Sequence, residues 1–312
     1  MNCAGLSKPD KLYIMKIHKA LRPGLLLALN LLVAAAISAS GQSLGTAKAL
    51  PVNVSEHKLE SKLMDRQMPY RVILPSGYSD AKNSSKRYPT IYLLHGLTGH
   101  YDNWTTQTGL AKYAETYQII IVTPEGDNGW YTDSVSNPNE KYESYIVKEL
   151  VLEIDSKFRT ISDRAHRAIG GLSMGGYGAI KFGLKYPGMF RLAGSFSGAL
   201  RAAQFSEKNS GAIGKAIANI FGPEGSEIRL NNDIFRLVTD ITPEKVKDLP
   251  FIYLDCGTED FIFSQSRDFS ALLIEKKIPH EFRELPGGHT WPYWDRQVQE
   301  FLRLADRLFG PN

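Results

Sequence analysis

The stretch Ile169–Pro187, IGGLSMGGYGAIKFGLKYP, restricts what this 312-residue chain can fold into more than any other. Five glycines surround a single serine within its first ten residues, and a helix-like segment follows. The lead-in RAIGG reads as a strand, and YGAIKFGLKY as a helix stopped near Pro187. A strand that reverses into a helix this sharply forces the serine into a strained backbone. Side chains on the flanking residues would collide with the neighbouring strand and helix, and glycine has none. Gly171-Leu172-Ser173-Met174-Gly175 therefore fits a G-x-S-x-G turn that lifts one hydroxyl to the rim of a sheet. The bland alternative is a glycine-rich turn with a solvated serine.

The rest of the chain supports a sheet around that turn. Short apolar runs at 70–74, 90–95, 119–123, 167–171, 192–197, 251–256 and 281–285 read as strands, several of them continuous enough to be covered on both faces. Between them, 109–117, 143–158, 174–186, 264–277 and 292–308 read as helices. In 143–158, Tyr145, Ile146, Leu150, Ile154 and Phe158 recur at helical spacing. Strand alternating with helix predicts an α/β fold, a mostly parallel central sheet with helices on both faces. Residues 52–74 are read as opening with an antiparallel hairpin. The segment 199–250 is far longer than one crossover needs and is expected to form a small helical cap.

The N-terminus has the layout of a secretory signal, assigned to residues 1–41. Lys16, His18, Lys19 and Arg22 precede the apolar run Leu25–Ile37, and the small residues SASGQ follow. The run is short of the ~20 residues a membrane-spanning helix needs. The alternatives are a retained anchor or a buried helix. Met15 begins a more typical leader than Met1 does. Residues 42–312 are then a single exported domain, periplasmic or secreted, with no stable membrane insertion once the leader is removed. The leader holds five of the 37 Lys and Arg and one of the 33 Asp and Glu, so the remainder is balanced and gives no electrostatic footprint for nucleic acid. Cys3 lies in the leader, which leaves Cys256 alone and read as a buried, inert thiol.

A serine hydroxyl needs a base within hydrogen-bond reach, and the base needs an orienting partner. On a sheet of this kind the chain order should be serine, acid, histidine. Only His280 and His289 follow Ser173. His289, in the loop LPGGHTWPYW after the last strand, is the candidate base; His280 opens a strand and reads as structural or exposed. Asp260, in the turn beyond FIYLDC, is the candidate acid, since catalytic groups collect beyond the carboxyl ends of such strands. Glu259 competes with it, helix N-capping before Ser264 is the bland alternative for Asp260, and Asp255 within the strand reads as structural. The oxyanion donors are expected to be the backbone N–H groups of Met174, directly after the serine, and Leu97, in the loop His95-Gly96-Leu97. His95 is read as packing or hydrogen-bonding in support. Trp130, Tyr131 and Trp291 are candidates for the substrate pocket, with core or loop packing as the alternative.

With these residues placed, the chain resembles the esterase D-like family of α/β-hydrolases. The resembling stretches are YRVILPSGY, YPTIYLLHGLTGHYDNW, GDNGWYTDS, YESYIVKELVLEID, AIGGLSMGGYGAIKFGLKYP, CGTEDF and GGHTWPYW, in that order across most of residues 60–308. That group includes S-formylglutathione hydrolases, tributyrin, feruloyl and acetyl-xylan esterases, and antigen 85 mycolyltransferases; the bacterial tributyrin esterases are nearest in flavour. The resemblance implies the triad Ser173, Asp260 and His289, with Leu97 and Met174 as oxyanion donors and no cofactor. It also implies a carboxylesterase acting on short acyl groups, carried on small molecules or polysaccharides. Three other functions stand beside it: acyl transfer to a sugar, a thioesterase like the S-formylglutathione hydrolases, and a non-catalytic binding module on a hydrolase scaffold.

Overall fold

The computed structural model describes residues 49–310, and the leader read at 1–41 lies outside the described residues. Eight strands form one sheet: β1 (Val54–Ser61), β2 (Arg66–Ile73), β3 (Thr90–Leu94), β4 (Ile120–Pro124), β5 (Arg167–Leu172), β6 (Leu192–Phe196), β7 (Phe251–Gly257) and β8 (His280–Leu285). Their order is β1-β2-β4-β3-β5-β6-β7-β8. β1, β2 and β4 pair antiparallel, so the hairpin read at 52–74 is present; every other pairing is parallel. Chain direction across the sheet switches at β3, which lies between β4 and β5. The carboxyl ends of β3 and β5 therefore flank a crevice where such sheets hold ligands.

Strand parity divides the core into two layers. Ile91, Leu93, Ile121, Ala168 and Leu192 face one side, where they meet α1 (Asn103–Gln107), α2 (Leu110–Tyr113) and the carboxyl-terminal helix. Tyr92, Leu94, Ile120, Val122 and Ile169 face the other, among the remaining helices. Residues two apart share a face, so strands buried on both faces are apolar throughout. These helices are α3 (142–157), α4 (Met174–Lys185), α5 (Glu207–Phe221), α6 (Glu227–Leu230), α7 (Ile234–Thr239) and α8 (Phe263–Glu275); the carboxyl-terminal helix is α9 (Trp291–Phe309).

The helices depart from the sequence reading in two places. The run 109–117 is not one helix but α2 followed by a 3₁₀ turn, Ala114–Thr116. The run 143–158 is a helix, but a π-helical turn occupies Tyr145–Leu150, and Phe158 leaves it in extended conformation. Among the described residues no helix is long and apolar enough to cross a membrane.

Segment 199–250 contains α5, α6 and α7. Buried Arg229 binds it internally, donating to the carbonyls of Ala203, Phe205 and Gly222. It rests on α4, where the Tyr177 hydroxyl donates to Asn232 O at 2.7 Å.

Cys256 is buried and free, and burial pushes its thiol up to about 12. One residue earlier, burial drives the Asp255 carboxyl well above its ordinary 3.8, and the nearby Tyr253, Tyr293 and Arg283 do not reverse this. The fold therefore favours the protonated form of Asp255 relative to the unfolded chain. The folded state holds the extra proton, so its contribution is full below about pH 4 and declines as pH rises toward the folded pKa. Asp255→Asn should remove that decline. In urea melts the variant gains on the parent as pH rises from 4 to 8, and parallel curves would show an ionised Asp255.

Candidate active site

Ser173 has φ 53 and ψ −116, left-handed backbone that a residue with a side chain adopts only at a cost of about 1–3 kcal/mol. Three bonds hold it there: its N–H donates to Phe196 O at 3.0 Å, and its carbonyl accepts from Tyr177 N and Ala199 N. The neighbouring glycines permit the crossing. A Cβ on Gly175 would lie 2.5 Å from Leu94 O and 2.6 Å from His95 O, and one on Gly171 would lie 2.5 Å from the Gly175 carbonyl group. Both obstacles are backbone and cannot step aside.

The turn places Ser173 Oγ 3.0 Å from His289 Nε2, and His289 Nδ1 lies 2.9 Å from Asp260 Oδ2. The three residues come from the ends of β5, β7 and β8. Asp260 Oδ1 also accepts the Ile262 N–H at 3.0 Å. Burial would raise the Asp260 carboxyl, but the bonds from His289 and the Ile262 amide hold it below its ordinary 3.8. An anionic Asp260 fixes the proton on Nδ1 and leaves Nε2 to accept from the serine hydroxyl. Glu259, the competing acid, is exposed, and His280 sits apart, bonded to Ser270 Oγ at 2.9 Å.

Ser173 and His289 open onto a cleft of about 510 Å³ lined by Leu97, Thr98, Asn103 and Trp291 among others. Met174 begins α4, so its N–H belongs to the first turn, which lacks acceptors inside the helix. Among the described residues the Leu97 amide has no acceptor either. Trp291 lines the cleft. Trp130 and Tyr131 do not: both are buried, and Trp130 packs edge-on against Tyr177 and Phe205. Their backbones carry φ 52 and φ 50, which turns both rings inward from a loop whose position alone suggested a pocket wall. The expected cap contributes nothing to the lining either, since none of these residues falls in 199–250.

The supporting role read for His95 has a partner that sequence reasoning missed, Glu125. His95 is buried; its Nδ1 donates to Gly96 O at 2.8 Å and its Nε2 lies 3.0 Å from Glu125 Oε1. Burial would raise the Glu125 carboxyl, but His95 and the amides of Asp127 and Gly126 bring it down to about 2. Its position just after β4, beside the carboxyl end of β3, was the available signal. The donor atoms of His100, Glu125 and Asp127 lie within 4.8 Å of one another, the spacing of a metal site. Glu125 is already bonded to His95 and backbone amides, and Asp127 to Arg66 and Tyr142, so internal partners account for the cluster.

A family model described as Putative esterase matches residues 61–304. The chain belongs to that esterase family. It is 31% identical over 257 residues to an acetyl esterase of Caldicellulosiruptor saccharolyticus, covering 80% of this chain and 96% of the relative. It is 26% identical to the S-formylglutathione hydrolase of Mus musculus, over 70% of this chain and 81% of that one. A solved ferulic acid esterase superposes with a TM-score of 0.70 at 27% identity, covering 82% of this chain and 98% of that one. The fold is that of the α/β-hydrolases, and the esterase is a carboxylic ester hydrolase.

Glu125 yields a pH-dependent test. Its folded pKa is depressed from 4.5, so its contribution is present above pH 4.5 and lost as pH falls toward 2. Glu125→Gln should cost about 2–3 kcal/mol at pH 7, and the deficit should shrink through that acid window in denaturant titrations. A deficit independent of pH would assign the loss to packing alone.

Proposed function

We propose that the chain is an exported serine carboxylesterase that removes short acyl groups, acetyl or feruloyl, from small or polysaccharide-linked esters through Ser173, His289 and Asp260. The observation that carries this reading is the unbroken relay of 3.0 Å and 2.9 Å contacts from hydroxyl to carboxylate, opening on a cleft. His289 takes the Ser173 proton as Oγ attacks the ester carbonyl, and Asp260 stabilises the imidazolium that forms. The tetrahedral oxyanion is received by the amides of Leu97 and Met174, worth about 3 kcal/mol apiece in sites of this type. The alcohol departs with the proton from His289. Water, deprotonated by the same imidazole, then frees the acid and restores the serine.

Support for the substrate comes from the names of the relatives, an acetyl esterase and a ferulic acid esterase. Support for export comes from the basic, apolar and small segments of residues 1–41. The cleft is open and an acyl-enzyme can pass its acyl group to a sugar as well as to water, so the test includes an acceptor.

The test is hydrolysis of p-nitrophenyl esters of graded chain length, beside acetylated and feruloylated xylan, with and without added sugar. The parent should prefer short acyl chains and release free acid. Ser173→Ala should lower kcat on p-nitrophenyl acetate by about 10⁴-fold or more, and Asp260→Asn by about 10³–10⁴-fold with the fold intact. Retained turnover in Ser173→Ala would remove it from the nucleophile role, and acylated sugar as main product would make the chain a transferase.

A further inference from the structure

The loop that carries the Leu97 amide is held from behind by a buried tyrosine. The Tyr131 hydroxyl donates to His95 O at 2.9 Å, and its ring is completely buried. His95 O is the carbonyl two residues before Leu97. His95 cannot pivot, because its ring is fixed by Gly96 O and Glu125. The hydroxyl thus pins the last freely orientable group ahead of the Gly96–Leu97 peptide. The tyrosine is wedged as tightly as the group it holds. A Cβ at Gly126 would meet its ring at 2.4 Å, and one at Gly178 at 2.7 Å. Two glycines on separate elements make room for this one side chain.

Tyr131 is itself anchored. Lys181, fully buried on α4, donates to Tyr131 O at 2.7 Å and to Thr132 Oγ1 at 2.6 Å, and pairs with Glu143 at 2.8 Å. An ammonium has three donor directions, and with Asn232 Oδ1 as a further neighbour at 3.4 Å none is left without an acceptor. The lysine stabilises a loop in which Asp127, Trp130 and Tyr131 all have left-handed φ. Backbone strain of this kind persists only where the surroundings over-determine it, and it marks places where geometry matters.

We infer that Tyr131 is a positioning residue that aims the Leu97 amide at the developing oxyanion, with Lys181 holding Tyr131 in place. This inference rests on the proposed role of Leu97. It gives a task to a residue that does not touch the substrate, and it explains why the tyrosine is buried where an ordinary core would place phenylalanine. A donor aimed poorly by a fraction of an ångström loses most of its preference for the transition state over the ground state. The loss should therefore fall on kcat and leave KM alone.

The test is Tyr131→Phe, which keeps the ring and removes only the hydroxyl. Rates on p-nitrophenyl acetate are expressed per active serine, titrated with a fluorophosphonate, so that unfolded protein does not enter. The expected result is a fall in kcat of about 10-fold with KM within twofold, and an equal loss of affinity for a trifluoromethyl ketone that forms a tetrahedral adduct. Lys181→Met, which removes the anchor and leaves the hydroxyl, should give a smaller loss of the same kind. Unchanged kcat and adduct affinity in Tyr131→Phe would overturn the inference, as would a rise in KM with kcat preserved. Failure of the proposed function is seen separately, as activity surviving in Ser173→Ala.

Discussion

Everything at the rim of the sheet depends on how closely α4 crosses β3. The first turn of the helix touches the carbonyls of Leu94 and His95, a distance only a residue without Cβ permits. That contact makes the serine turn left-handed, lifts its hydroxyl clear of the sheet, and brings the loop after β3 beside it. The serine and the loop with its free amide are thus one structural consequence. Asp260 and His289 reach the same place because β7 and β8 run parallel to β5 and end at the same edge.

The charges behind the cleft act through satisfaction of their bonds more than through attraction alone. A buried ion pair recovers its desolvation cost only when its remaining donors and acceptors are also met. Glu143 meets that condition by accepting from both Lys181 and Lys185, which holds it at about 2 although burial opposes this. Burial still wins at Lys181, lowered to about 8. Asp255 shows the other outcome: buried without a cationic contact of that quality, its carboxyl is driven upward by desolvation.

How much of this was legible in the sequence follows from which interactions are local. The serine turn is local, and glycine spacing revealed it. The positions of Asp260 and His289 followed from chain order and from where strands end. The two-layer core followed from continuous apolar runs. The inward turn of Trp130 and Tyr131 did not, because a pair of left-handed aromatic residues reverses the side that loop position suggests. Lys181 escaped notice because a lysine on a helix reads as solvated, and its partners at Tyr131, Thr132 and Glu143 lie 38 or more positions away. The long excursion at 199–250 was read as a cover from its length; length shows that a segment must pack somewhere and says nothing of where.

The π-helical turn at Tyr145–Leu150 separates two halves of one helix that answer to different neighbours. Upstream, Glu143 must face the ammonium of Lys181; downstream, Ile154 must face the sheet. At about 100° per residue, positions 143 and 154 would lie within about 20° of one azimuth in an uninterrupted α-helix, and the widened turn rotates them apart. The widened turn works as a phase adapter. It lets the polar anchor and the apolar face be set independently, and it marks the one point in α3 where a single-residue deletion would restore regular winding while swinging the carboxylate out of register.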